Sequence, residues 1–167
     1  TGEISVLSLL EANVNFCIVG HSERRQIFKE KDKDINLKSQ RLVANKVIPI
    51  ICIGETYEQK EKGITNQVLE EQLMNSIPSS SSFENSIIAY EPVWAIGTGL
   101  TPTIDEIDDI HRFIKECNGK FNNYKILYGG SVKASNAREI TSLPNVDGVL
   151  IGGASLKSQE FTKIIED

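Results

Sequence analysis

Two residues invite acid–base chemistry because each stands where an apolar, strand-like run ends. Glu91 follows the run IIAY and is itself followed by Pro92, Val93, Trp94, Ala95, Ile96, Gly97, Thr98 and Gly99. A carboxylate set among such apolar neighbours is partly desolvated, which raises its proton affinity and suits it to act as a base. His21 follows Gly20 and precedes Ser22, Glu23, Arg24 and Arg25. A helix starting there would aim its free N–H groups and positive dipole end at the imidazole, favouring the neutral form that can donate a hydrogen bond to a carbonyl oxygen. Each residue also has a plain structural reading, a locally hydrogen-bonded histidine and a glutamate that ends a strand. The loop after Glu91 bears on the choice: Pro92 fixes one end while Gly97 and Gly99 free the other, which is how a closing segment is built.

A third feature is a pair of doubled glycines, Gly129 and Gly130 before Ser131, and Gly152 and Gly153 before Ala154 and Ser155. Paired glycines after a buried strand let backbone N–H groups approach an anion, and a following helix start adds its dipole. Two such nests on neighbouring strands point to one phosphate. No residues have metal-ligand spacing: His21 and His111 are far apart, and Cys17, Cys52 and Cys117 form no CxxC pair. His111 falls in a helical segment and reads as a core residue.

These side chains need elements that gather them. Five apolar runs rich in β-branched residues, 15–20, 48–54, 86–90, 124–130 and 147–153, predict strands buried on both faces, because their apolar residues are nearly continuous. Helix signals lie between them. Thr56 with Gln59 and Thr103 with Glu106 fit the capping box. Val68, Leu69, Leu73 and Ile77 make one helical stripe, and Ile107, Ile110, Ile114 and Cys117 another. Alternating strand and helix predicts an α/β fold with a parallel sheet, in which ligands bind at the carboxyl ends of the strands. The mixed-sign segment 29–34 predicts a solvated loop or helix start, and the serine run 79–82 a surface loop.

The 167 residues are 40% hydrophobic and 25% charged, which excludes a disordered chain, and no run approaches the length of a membrane span. Eighteen Lys and Arg against 23 Asp and Glu leave a net charge of −5, so nothing draws nucleic acid or anionic lipid to the surface as a whole. An odd number of cysteines, two of them within apolar runs, predicts buried free thiols in a reducing cytoplasm.

The strings IVGHSERR (18–25), ICIGET (51–56), AYEPVWAIGTG (89–99), YGGSV (128–132) and DGVLIGGASL (147–156) closely resemble triosephosphate isomerase, in that family's order and over essentially the whole chain. The resemblance implies the (β/α)8 barrel, here incomplete. Residues 1–167 would be its fourth to eighth strands with their helices. It implies a triose phosphate substrate, no cofactor, no nucleic-acid or membrane partner, a cytoplasmic location, and a homodimer for the family. By that resemblance Glu91 is the base and His21 the electrophile that polarises the carbonyl, with Ser22 and Glu23 ordering the site. Residues 92–101 form the lid, which Glu55 steadies through Trp94, and Tyr128 and Ser131 meet it when closed. The substrate phosphate is held at Gly97, Ser131, Gly152 and Gly153. Leu100 stands where the family often has lysine. The family's first three βα units are missing, and with them an asparagine, a lysine and most of the dimer loop. The expectation is therefore a chain of little or no activity alone, the alternative being a noncatalytic fragment or assembly partner.

Overall fold

A computed structural model describes residues 2–96 and 100–166. Gly97, Thr98 and Gly99, named above as lid and phosphate residues, lie outside the described residues. Five strands, β1 (Phe16–Val19), β2 (Ile48–Ile53), β3 (Ile87–Tyr90), β4 (Lys125–Tyr128) and β5 (Gly148–Val149), pair in parallel in the order of the sequence. Parallel neighbours need crossovers. The chain supplies them in α2 (Ser22–Ile27) and α3 (Asp32–Ala44), then α4 (Tyr57–Glu61) and α5 (Thr65–Ser76), then α6 (Ile104–Glu116), and α7 (Ala137–Thr141). The short helix α1 (Val6–Glu11) precedes the sheet and α8 (Ser158–Glu166) follows it. Among the described residues, no helix is long and apolar enough to cross a membrane.

The helical stripes do what their periodicity predicts. Val68, Leu69, Leu73 and Ile77 are all buried, as are Ile107, Ile114 and Cys117, while Ile110 is half-buried. Both capping boxes form: Thr56 with Gln59 starts α4, and Thr103 with Glu106 starts α6. Each therefore satisfies backbone donors that the first helical turn leaves free. Cys52 and Cys117 are buried free thiols, but Cys17 is only half-buried.

Register then aligns the strand ends. Tyr90 stands level with Ile53 on one side and Tyr128 on the other. The ladder continues one residue further, with Glu91 N–H donating to Ile53 O and Gly129 N–H to Tyr90 O, both at 2.7 Å. Gly54, Glu91 and Gly129 consequently lie side by side.

Two expectations need correction. Burial on both faces holds for β2 and β3 but fails at β1, where Phe16 is 52% and Ile18 46% exposed. β1 and β5 are the sheet's outer strands, and neither has a second neighbour among the described residues. The same lack shortens β5, since a ladder ends where its partner does: Gly148–Val149 is all that forms of the run 147–153. Segment 29–34 does start a helix, but its acids are paired rather than solvated. Glu30 bonds Arg24 and Lys38, and Asp32 holds Arg25 at 2.6 Å.

Gly54 sets the closest approach in the sheet, for a Cβ there would lie 1.7 Å from the carbonyl oxygen of Glu91. That oxygen belongs to backbone and cannot rotate away. Gly54→Ala is expected to destabilise the fold by about 3 kcal/mol, measured as a lower urea midpoint. An unchanged midpoint would show that β2 and β3 are not held this closely.

Candidate active site

The site begins with a turn. Gly20 has φ +71°, a left-handed conformation that suits glycine, and it swings the chain from β1 into α2 with His21 as the N-cap. The His21 Nδ1 accepts the Glu23 N–H at 3.3 Å. Accepting there requires a lone pair on Nδ1 and leaves the ring proton on Nε2. Nε2 lies 3.2 Å from Glu91 Oε1, while the other carboxylate oxygen accepts the Ser22 N–H at 3.1 Å. Both oxygens of Glu91 are thus engaged at the start of α2.

Glu91 is only 2% exposed. Burial raises its proton affinity above the ordinary glutamate range, opposed by His21 and the Ser22 N–H, and the Cys52 thiol also bonds it. Room for the side chain comes from Gly129, where a Cβ would lie 2.8 Å from Glu91 Cγ. Arg25 braces the same region: Nε donates to Gly20 O at 2.8 Å and a terminal nitrogen to Cys52 O at 3.0 Å. One guanidinium therefore ties the carboxyl ends of β1 and β2 together.

Strand alternation sends Tyr90 the opposite way from Glu91. The Tyr90 hydroxyl donates to Glu55 at 3.2 Å, and Trp94 Nε1 donates to Glu55 Oε1 at 2.7 Å. Glu55 is 1% exposed, and burial raises its proton affinity against those two donors. Its carbonyl also accepts the Val93 N–H at 3.1 Å, so the turn Val93–Ala95 is tied down by backbone and side chain alike. Pro92 and Ala95 are buried within this turn region, with Ile96 half-buried.

A cavity of about 590 Å³ is lined by His21, Glu91, Ile96, Ser131, Gly152 and Gly153, with Gly129 and Gly130 in the same wall. Histidine, carboxylate and both glycine pairs therefore meet in one place. Ser131 Oγ donates to Ala95 O at 2.7 Å, a bond between the first glycine nest and the loop after Glu91. Glu23 contributes its backbone N–H, but its carboxylate is exposed. A helix was expected directly after each glycine pair. Instead a 3-10 turn, Gly153–Leu156, follows the second pair, and after the first the chain runs to α7 at Ala137 before a helix forms. The Tyr128 hydroxyl is buried without a hydrogen-bond partner among the described residues, close enough to Gly130 that a Cβ there would meet it at 2.2 Å. His111 is a core residue as expected, its ring edge-on to Tyr90 at 5.9 Å, and burial lowers its pKa to about 4.

Sequence reasoning missed Tyr90 and Arg25. Tyr90 could have been found from its place next to Glu91, since alternation forces neighbouring side chains to opposite faces. Nothing local marks Arg25, whose partners lie on two strands.

A parallel α/β sheet with a buried carboxylate against an imidazole at its carboxyl end is the arrangement of an acid–base enzyme. Comparison with known proteins narrows this. The family model for triosephosphate isomerase matches residues 1–167. A triosephosphate isomerase of Mesomycoplasma hyorhinis is 47% identical over 99% of this chain and 67% of its own length, and one of Rhodopseudomonas palustris is 44% identical over 98% and 67%. The crystal structure of triosephosphate isomerase from Bartonella henselae superposes with a TM-score of 0.91 at 40% identity, covering 99% of this chain and 70% of that one. The chain belongs to the triosephosphate isomerase family, and its sheet is an incomplete (β/α)8 barrel of five strands.

The raised proton affinity of Glu55 has a pH consequence. Between the ordinary value of 4.5 and the higher folded value, the native state holds a proton that the unfolded chain has released. Stability should fall as pH rises through that window and then level off. Glu55→Gln should flatten this fall in urea titrations across pH, whereas an unchanged slope would mean that Glu55 ionises normally.

Proposed function

We propose that Glu91 and His21 carry the reaction of the family, the interconversion of dihydroxyacetone phosphate and glyceraldehyde 3-phosphate. Glu91 takes a proton from the carbon beside the carbonyl. His21 Nε2–H donates a hydrogen bond to the carbonyl oxygen, stabilising the charge of the enediolate that forms. Glu91 then returns the proton to the adjacent carbon, while His21 Nε2 gives its proton to the former carbonyl oxygen and takes the one on the neighbouring hydroxyl, so protons and charge balance and no cofactor is needed. The observation that carries this reading is the pairing of a buried carboxylate with an imidazole whose Nδ1 is occupied by a backbone N–H, leaving Nε2–H as donor. To reach substrate, the carboxylate gives up the Ser22 N–H and His21, donors that the substrate replaces.

The substrate phosphate sits at Ser131, Gly152 and Gly153, all in the cavity wall. Residues 92–96, with Gly97, Thr98 and Gly99 beyond them, act as the lid that excludes water from the enediolate. Ser22 and Glu23 fix the base and the histidine through backbone donors, and Glu55 anchors Trp94. The five strands are the fourth to eighth of the family barrel, the carboxyl-terminal portion. The same reading makes the protein one that works as a homodimer in the cytoplasm. With Phe16 and Ile18 of β1 exposed, the second reading is a noncatalytic fragment that serves as an assembly partner.

Deuterium uptake from solvent into dihydroxyacetone phosphate, followed by NMR, tests the base directly even at low turnover. Glu91→Gln is expected to lower the chain-dependent rate by about a hundredfold or more. A rate unaffected by the substitution would overturn the role of Glu91, and no uptake with the unsubstituted chain would favour the noncatalytic reading.

A further inference from the structure

A second, smaller cavity of about 250 Å³ has Glu55, Lys60, Trp94, Pro102 and Glu106 in its wall, and neither His21 nor Glu91 lines it. Lys60 has no role in what is described above, and Glu106 has only that of capping α6. Lys60 Nζ stands 3.7 Å from the centre of the Trp94 ring, within the range where an ammonium is attracted to an aromatic face. The same nitrogen is 3.2 Å from Glu106 Oε1. The other oxygen of Glu106 accepts the Thr103 N–H at 2.7 Å, and Thr103 Oγ1 accepts the Glu106 N–H at 3.2 Å. That reciprocal pair is the capping box of α6, so Glu106 is fixed by backbone before Lys60 reaches it.

We infer that Lys60 is a positioning residue that latches Trp94 to the start of α6 through Glu106. The inference rests on reading residues 92–96 as part of a lid. Trp94 lies before residues 97–99 and Thr103 after them, so one ammonium joins the two flanks of that segment. The short helix α4 makes this geometry available. It begins just after Glu55, its own capping box sets its direction, and one turn later it presents Lys60. Glu55 takes the edge of the indole at Nε1 and Lys60 takes its face. The two flanks are thereby fixed relative to each other, and any motion of Trp94 away from Glu55 also breaks a contact held by α6.

A lone cation over an exposed ring is a weak contact, but here the ammonium is held by the ring on one side and by a fixed carboxylate on the other. Its side chain is 31% exposed, and the Thr103 N–H first, then Lys60, hold the Glu106 carboxyl below the usual range. Glu106 is therefore ionised at neutral pH and available to hold the ammonium.

Trp94 is the single tryptophan of the chain, so its fluorescence reports this contact without substrate or turnover. Acrylamide quenching would be measured for the unsubstituted chain, Lys60→Met, Lys60→Arg, Glu106→Gln and the double variant Lys60→Met with Glu106→Gln. Lys60→Met should raise the quenching constant about twofold or more, and Lys60→Arg should stay near the unsubstituted value. Glu106→Gln should raise it while Lys60 is present and add nothing once Lys60→Met has been made, because Glu106 acts on the indole only through the lysine. Unchanged quenching in Lys60→Met, or additive effects of the two substitutions, would overturn the latch. Failure of the lid reading has a different signature: the quenching pattern holds, but a triose phosphate leaves Trp94 emission unaltered.

Discussion

The carboxylate of Glu91 ends a central strand and is only 2% exposed, so the chain around it must supply what water no longer can. Taking an ionised carboxylate out of water costs several kcal/mol unless donors replace its hydration. Here the replacements are the Ser22 N–H and His21, and both exist only because α2 starts where β1 ends. That start needs the left-handed turn at Gly20. The strands on either side must also come close, which the absence of side chains at Gly54 and Gly129 permits. Arg25 then holds the ends of β1 and β2 by their carbonyls.

Two buried glutamates, Glu55 and Glu91, lie on opposite sides of the end of β3, and their partners separate their roles. Glu55 is held by a phenol and an indole, neutral donors rooted in β3 and the following turn, and it is an anchor. Glu91 is held by a backbone N–H and an imidazole, and both the carboxylate and the imidazole line a cavity. Burial raises the proton affinity of both. Only the cavity beside Glu91 also holds an imidazole and both glycine pairs, whereas Glu55 lines the smaller cavity beside Lys60 and Glu106.

Most of the interior was legible in the sequence. Near-continuous apolar runs gave β2 and β3, helical spacing gave α5 and α6, and two capping boxes marked where α4 and α6 begin. What the pattern could not convey was the environment beyond the outer strands. Phe16 and Ile18 have the residue types of a buried strand, yet burial depends on a neighbour, and β1 has one on a single side. The environment of charges escapes the pattern for a related reason. Glu30 and Asp32 look solvated in a mixed-sign run, but Arg24, Arg25 and Lys38 reach them only once α2 and α3 have packed. Glu91 and His21 were readable because strand ends are local features. Arg25 was not, since its acceptors lie on separate strands.

The site is electrostatic at its centre: Glu91 is a carboxylate of raised proton affinity facing an imidazole whose proton is on Nε2. NMR of the chain with labelled glutamate and histidine side chains reads both halves in one pH series. The Glu91 carboxyl carbon is expected to titrate above the ordinary value of 4.5, and the His21 nitrogen shifts to mark Nδ1 as the acceptor and Nε2 as the protonated position. Titration of Glu91 at or below that value, or a His21 ring protonated at Nδ1 alone, would contradict it.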